Sequence, residues 1–255
     1  MALTDNKEII ICNLEETDST NIWIRNHNDM PDSCLFKVAI AQFQTGGYGQ
    51  KGNSWESEKS RNLLFSILSH PSFIDASSQF CLSEAISCAI IDALCDILPQ
   101  TTGDISVKWP NDIYWKNRKL AGILIENELS GHSISQSIIG IGLNVNQQTF
   151  ISDAPNPVSL YNITGIMSDR DTILQSILRH FAEYYIQIRD GGNVSIHGIY
   201  MRRLFRRDGF HQFHDSTGIF KAKICSVKSN GILVLQDTDD KKREYEFKQV
   251  SYILD

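Results

Sequence analysis

No stretch of the 255 residues approaches the roughly 18 uninterrupted apolar residues of a membrane-spanning helix. The N-terminus, MALTDNKEIIIC, has one Lys and an apolar run broken by Asn13. It does not read as a signal peptide, so a cytoplasmic location and no membrane partner are expected. Basic charge is also short: 24 Lys and Arg stand against 30 Asp and Glu, a net charge of −6. Duplex phosphate calls for a basic footprint, so no nucleic-acid partner is expected. The deficit is uneven, because residues 206–255 carry 9 basic and 8 acidic side chains. None of the six cysteines forms a C-x-x-C, and no His stands at zinc-ligand spacing from a Cys pair. Cys81, Cys88 and Cys95 recur every seven residues, along one side of a helix, as small apolar core residues do. Repeats and low-complexity tracts are absent.

The composition that remains, 42% hydrophobic and 21% charged, is that of a soluble globular protein. The length suits one large domain, or a main domain of about 200 residues with a small one. Short strands are expected at Glu8–Leu14, Phe36–Phe43, Asn62–Ser69, Ile105–Trp109 and Ile134–Asn144, with a hairpin, Ile113–Trp115 and Leu120–Glu128, around Lys116-Asn117-Arg118. The clearest helix is Gln79–Leu98, with Leu82, Ile86, Ala89, Ile90, Ala93, Leu94 and Ile97 at 3–4 spacing. Asp18, Ser19, Thr20 and Asn21 are all good helix caps and precede a short helix. Further helices are expected at Asp171–Arg189 and Val194–Phe205, after a polar loop over 147–168. Beyond Phe210 the texture changes to short strands, Phe220–Val227, Ile232–Gln236 and Glu244–Phe247, the pattern of a small β-barrel. The fold class is α+β, with domains at 1–206 and 207–255.

Three segments carry chemistry. Gly47, Gly49 and Gly52 spell G-x-G-x-x-G, but Asn53-Ser54-Trp55 and another strand follow where a dinucleotide fingerprint needs a helix. A Gly-Lys-Ser/Thr phosphate loop is missing too. What is left is a long loop rich in exposed N–H groups, suited to an anion or to closing over a small ligand. The second segment, Lys108-Trp109-Pro110-Asn111-Asp112 followed by Arg118-Lys119-Leu120-Ala121-Gly122, sets a Lys and a carboxylate at strand ends. Taken alone it fits magnesium-nucleotide chemistry and a solvated surface hairpin equally. The third, Gly140-Ile141-Gly142-Leu143-Asn144-Val145-Asn146, ends a strand in two Asn that face one way, as caps or as ligand contacts.

Taken together these blocks resemble biotin protein ligases. Asp18-Ser19-Thr20-Asn21, the Gln-x-x-Gly-x-Gly-x-x-Gly-x-x-Trp loop from Gln44 to Trp55, Lys-Trp-Pro-Asn-Asp at 108–112, Arg-Lys-Leu-Ala-Gly-Ile-Leu at 118–124 and Gly-Ile-Gly-Leu-Asn-Val-Asn at 140–146 occur in the family's order and spacing. The resemblance spans roughly residues 9–255. It implies a catalytic domain like class II aminoacyl-tRNA synthetases, a mixed sheet with flanking helices, followed by an SH3-like barrel. It implies ATP and biotin as substrates with Mg2+, formation of biotinyl-5′-AMP, and transfer to one lysine of a biotin carboxyl carrier domain of a biotin-dependent carboxylase. Family members occur as monomers and as dimers, so a homodimer stays open.

The resemblance also distributes roles. Lys119 matches the essential lysine, placed between two anions, the biotin carboxylate and the ATP α-phosphate. Ser19, Thr20, Asn21, Gln44, Gly47, Gly49, Gln50, Lys119 and Gly122 fall at biotin-contacting positions. Tyr48, Lys51, Trp55, Asn111, Asp112 and Asn144 fall at the ATP side, with Asp112 as the magnesium carboxylate. Two positions depart from the family, whose loop reads Gly-Arg-Gly where this chain has Gly47-Tyr48-Gly49, and which often has a second Arg where Gln50 stands. The departures imply weaker adenylate retention or ATP binding than in a typical member. Tyr48→Arg should then lower the Michaelis constant for ATP. Only 17 residues precede Asp18, too few for a helix-turn-helix, so operator binding is not expected.

Overall fold

The computed structural model describes residues 8–49, 54–152 and 156–254. Seven strands form one mixed sheet: β1 (Glu8–Thr17), β2 (Cys34–Gln44), β3 (Leu63–Ser69), β4 (Ile105–Lys108), β5 (Asp112–Trp115), β6 (Arg118–Ser130) and β7 (Ser133–Leu143). Their order is β1-β2-β3-β7-β6-β5-β4. Only β1 and β2 run parallel; the other neighbours are antiparallel. β3 reads Leu-Leu-Phe-Ser-Ile-Leu-Ser and is buried throughout, because both faces of this central strand are covered.

The two faces are separated by parity, since side chains alternate along a strand. Leu63, Phe65 and Ile67 of β3, Ile139, Ile141 and Leu143 of β7, and Ala121 and Ile123 of β6 belong to the large core, with Ile125 half-buried against it. That core is closed by α2 (Phe80–Ile97), α4 (Arg170–Arg189) and α5 (Asn193–Arg202). Cys81 and Cys88 are buried in it and Cys95 is half-buried against it, as their spacing implied. The other face carries Ser66, Gly122, Leu124, Glu126, Gly140 and Gly142, and part of it is covered by the short helix α1 (Thr20–Asn26). Beneath α1 is a small second core of Ile24, Ala39, Leu68 and Ile138. The sheet thus packs fully on one side and leaves small and polar residues on the other.

Beyond Phe210, five antiparallel strands form a second sheet in the order β11-β10-β9-β8-β12: β8 (His211–Asp215), β9 (Gly218–Val227), β10 (Leu233–Asp237), β11 (Lys242–Tyr245) and β12 (Ser251–Tyr252). The sequence signalled three of these; β8 and β12 were missed. Trp109 Nε1 donates to Gly231 O at 2.9 Å, and Phe247 packs against Trp109 and Phe80. A Cβ on Gly231, at φ +88°, would stand 2.7 Å from the Phe80 ring, so this close approach needs glycine.

Two expected elements change. The helix expected to reach Phe205 stops at Arg202, because Val107 N donates to Arg203 O and Phe205 N donates to Val107 O. Pairing with the β4 edge outcompetes the helical signal. The expected loop over 147–168 contains α3 (Leu160–Thr164), started by a Ser159/Asn162 capping box and ended by Gly165 at φ +73°. No helix among the described residues is long and apolar enough to cross a membrane.

Candidate active site

A cavity of about 300 Å³ opens on the small-residue face of the first sheet. Its α1 end is built from neutral groups. Ser19 stands at the N-cap of α1, but its hydroxyl makes no cap bond and lines the cavity. Gln44, at the end of β2, takes Thr20 N–H on its Oε1 at 2.8 Å, with Thr20 Oγ1 3.0 Å away. Ser66 Oγ on β3 lies 2.7 Å from Thr20 Oγ1 and 2.6 Å from Asn21 Oδ1. Ser19, Thr20 and Asn21 are buried, so these contacts are shielded from water. Asn21 lies flat on β7 because position 140 is glycine: a Cβ there would stand 2.3 Å from Asn21 Oδ1.

The β5–β6 end is charged. Lys119 Nζ meets Asp112 Oδ1 at 2.7 Å, and the ammonium stands 5.7 Å from the Trp55 ring centre. Lys119 is held through its backbone, with N–H to Asn156 O and its carbonyl accepting from Val158 N. Lys108 Nζ donates to Tyr114 Oη at 3.0 Å and lies 5.6 Å from the Tyr252 ring centre. Burial pushes the Lys108 ammonium below its ordinary pKa; Asp112 opposes this, and Lys119 and Arg206 add to it. Lys248, Val250, Ser251 and Tyr252 bring the second sheet into the cavity wall. Trp55 Nε1 and Tyr252 Oη are buried there without a hydrogen-bond partner. The cavity end that holds the Lys119 ammonium and the Lys108 ammonium suits an anionic ligand.

Most of the residues expected at the site line this one cavity: Ser19, Thr20, Asn21, Gln44, Tyr48, Gly49, Trp55, Asn111, Asp112, Lys119 and Gly122. Gln50 and Lys51 lie outside the described residues. Gly47 does not line the cavity; its carbonyl accepts from Trp55 N at 2.9 Å and helps close the loop, together with a bridge between Tyr48 and Ser54. Gly122 was expected to admit ligand close to the backbone. The space over it is taken by Trp55 and the end of Lys119, each within 3.4 Å of a would-be Cβ. Gly142 serves the same indole, at 2.4 Å.

Asn144 was expected at the ligand and is not in the cavity lining. It is buried, its amide nitrogen donates to Val158 O at 3.1 Å, and its Oδ1 has no partner. It braces the segment that grips Lys119. Asn111 donates from its amide to Ile123 O, which fixes the 109–112 turn on β6. The Tyr48 hydroxyl, expected at the nucleotide, donates to Glu126 Oε2 at 3.4 Å instead. Burial first, and the Glu126 charge second, raise its pKa. Ser66, Glu126, Lys248 and Tyr252 were not found from sequence. Only parity signalled the first two, at even positions on the face that also carries Gly122 and Gly140.

The Biotin/lipoate A/B protein ligase family model matches residues 17–144, which span both ends of the cavity. The bifunctional ligase/repressor BirA of Bacillus subtilis (strain 168) is 27% identical over 91% of this chain and 70% of its own length. The biotin–[acetyl-CoA-carboxylase] ligase of Paracoccus denitrificans is 27% identical over 88% of this chain and 92% of its own. The solved biotin protein ligase of Aquifex aeolicus in complex with biotin and ATP superposes with a TM-score of 0.78 at 25% identity, covering 95% of this chain and 97% of that one. The small-residue sheet face, the hydrogen-bonded α1 end and the Lys119–Asp112 end all lie within or beside the matched segment, and the chain belongs to the biotin/lipoate A/B protein ligase family.

Proposed function

We propose that the chain joins biotin to ATP, forming biotinyl-5′-AMP and pyrophosphate, and then passes the biotinyl group to one lysine of a biotin carboxyl carrier domain. One observation carries this reading: a neutral hydrogen-bonding row and a Lys–Asp pair share one cavity. The ureido ring of biotin has two N–H donors and one strong acceptor, which amides and hydroxyls match without net charge. Its place is the α1 end, at Ser19, Thr20, Asn21 and Gln44, with Gly49 contributing from the loop that Gly47 helps close; Gln50 is assigned there from the sequence alone. The biotin carboxylate then reaches toward Lys119.

Lys119 is the residue assigned to catalysis. Attack of the biotin carboxylate on the α-phosphorus brings two anions together, and an ammonium between them offsets the repulsion and stabilises charge in the transition state. The oxygen–phosphorus bond forms as pyrophosphate leaves. Lys108 and Lys248 line the same end and add positive charge for the leaving phosphates. Lys51, Trp55, Asn111 and Asn144 are assigned to the ATP side, Asn144 through the backbone that holds Lys119; Tyr48, expected there too, is held toward the α1 end by Glu126. Among the described residues no three His, Cys, Asp or Glu side chains form a metal cage. Asp112, with Asn111 as a neutral oxygen donor, fits Mg2+, which one carboxylate and substrate phosphates usually hold. That ion would spread the triphosphate charge.

In the second half-reaction the carrier's lysine amine attacks the biotinyl carbonyl and AMP leaves. The negative net charge supports a ligase without operator binding. We read the first sheet and its helices, 1–206, as the class II aminoacyl-tRNA synthetase-like catalytic domain and 207–255 as SH3-like. Pairing with a second copy through sheet edges would use β1, ten residues long at the edge of the first sheet. Pyrophosphate release by the purified chain with Mg-ATP tests the reading: release with biotin and not with lipoate is expected. Release with lipoate alone would move the chain to the lipoate branch, and folded protein silent with both would contradict catalysis.

A further inference from the structure

Glu126 has no part in the reaction outlined above, yet its Oε2 collects three donors. Asn21 Nδ2 stands at 2.7 Å, Arg25 Nη2 at 2.9 Å and Tyr48 Oη at 3.4 Å. They come from the start of α1, from its last turn and from the glycine-rich loop. We propose that Glu126 is a positioning residue that sets the donor–acceptor polarity of the ureido-binding row and ties the glycine-rich loop to it. This rests on the biotin reading above.

An ionised carboxylate only accepts hydrogen bonds. It therefore holds the NH2 side of the Asn21 amide toward β6 and leaves the amide oxygen toward β3. There Ser66 Oγ lies 2.6 Å from Asn21 Oδ1, an atom that can only accept. Ser66 directs its one proton between Asn21 Oδ1 and, at 2.7 Å, Thr20 Oγ1. Thr20 has one proton as well and gives it to Gln44 Oε1 at 3.0 Å, so toward Ser66 its oxygen accepts. Thr20 Oγ1 is then left with a lone pair for an incoming N–H. Gln44 Oε1 is engaged by the Thr20 backbone N–H and hydroxyl, which leaves the NH2 as the donating side of the Gln44 amide. A cyclic urea meets an acceptor at Thr20 and a donor at Gln44, both in the cavity lining.

An amide at position 126 can present either its oxygen or its NH2 to Asn21, so the chain of bonds loses its fixed direction. The Arg25 ion pair is lost with it, and Tyr48 loses a charged anchor. Both losses fall on the biotin end. The Lys119–Asp112 pair touches none of these groups.

The test compares the full-length wild-type chain with Glu126→Gln, by calorimetric biotin binding and by the Michaelis constant for ATP in pyrophosphate release. Glu126→Gln should weaken biotin about tenfold, as expected for a charge-assisted hydrogen bond, with the ATP constant within about twofold. Tyr48→Phe should weaken biotin about twofold in the wild-type background and have no further effect beside Glu126→Gln. Biotin affinity unchanged in Glu126→Gln, or equal losses for biotin and ATP, overturns the proposal. Should that variant not fold, Arg25→Gln at a half-exposed position carries the test. A rise of about threefold in the biotin dissociation constant is expected, and an unchanged one overturns the proposal. A wild-type chain that binds no biotin overturns the functional reading, and this inference with it.

Discussion

The two ends of the cavity differ in how far the protein satisfies itself. At the α1 end, Asn21, Thr20 and Gln44 already hold one another through Ser66 and Glu126. At the β5–β6 end, Lys119 and Asp112 pair with each other, while Trp55 Nε1 and Tyr252 Oη have no partner. On the proposed function, the satisfied row, rigid before ligand arrives, serves orientation and discrimination, and the charged end meets the charge that develops on the reacting groups and so raises a rate. One cavity would then separate recognition from chemistry. The glycine pair two residues apart on β7 marks the division: Gly140 makes room for Asn21 and Gly142 for Trp55.

That separation can be broken from either side. The largest effect belongs to Lys119→Ala, which should slow adenylate formation by about 10³-fold, the scale for loss of one charge-stabilising donor. Biotin affinity, measured by calorimetry, should fall by less than about fivefold in the same variant, because the neutral row is intact. Gly140→Ala should do the reverse. The added methyl displaces Asn21, and loss of one or two buried hydrogen bonds should raise the biotin dissociation constant about 30-fold, with the ATP constant little changed. Gly142→Ala displaces the Trp55 indole instead, and steady-state kinetics should show the ATP constant rising about tenfold with biotin affinity nearly unmoved. The two substitutions add the same methyl on the same strand, so opposite selectivity would locate the boundary between the ends.

A smaller effect concerns the second sheet, which supplies Lys248 and Tyr252 to the charged end. Asp215 there accepts from Thr217 and Tyr245 and faces Arg243, and its carboxyl is held at about 2, below the ordinary range. The folded state binds the proton less readily than the unfolded chain. The stabilisation is therefore present above the ordinary carboxylate range and is lost as pH falls toward about 2. Asp215→Asn should melt below the wild type at neutral pH, and thermal denaturation should show the gap closing as the solution is acidified.

The first sheet and its helices were legible because their hydrophobic periods are strong. α2 shows a clear 3–4 spacing, and β3 reads as an unbroken buried run. What was missed follows from contacts that local pattern cannot carry. β12 is two residues long and exists through pairing with β8. The end of α5 is decided by backbone pairing to Val107, 96 positions earlier than Arg203. At the site, each contiguous motif delivered at least one lining residue; in the last, Gly140, Ile141 and Gly142 line the cavity while Asn144 turned inward to Val158. Ser66 escaped because it sits inside the apolar run of β3, and Glu126 because it opens the polar end Glu126-Asn127-Glu128 of β6, which reads as a solvated strand end. Only the fold brings them to within 2.7 Å of Asn21. Lys248 and Tyr252 gave no signal, since charge in 206–255 is nearly balanced.

The most direct test of the account is to mix the wild-type chain with biotin and Mg-ATP in the absence of any acceptor lysine and to identify the bound product by mass spectrometry. The account predicts biotinyl-5′-adenylate retained on the chain, and far less of it in Lys119→Ala at equal biotin occupancy. Bound biotin and ATP with no adenylate in the wild type, or equal adenylate in both chains, would contradict it.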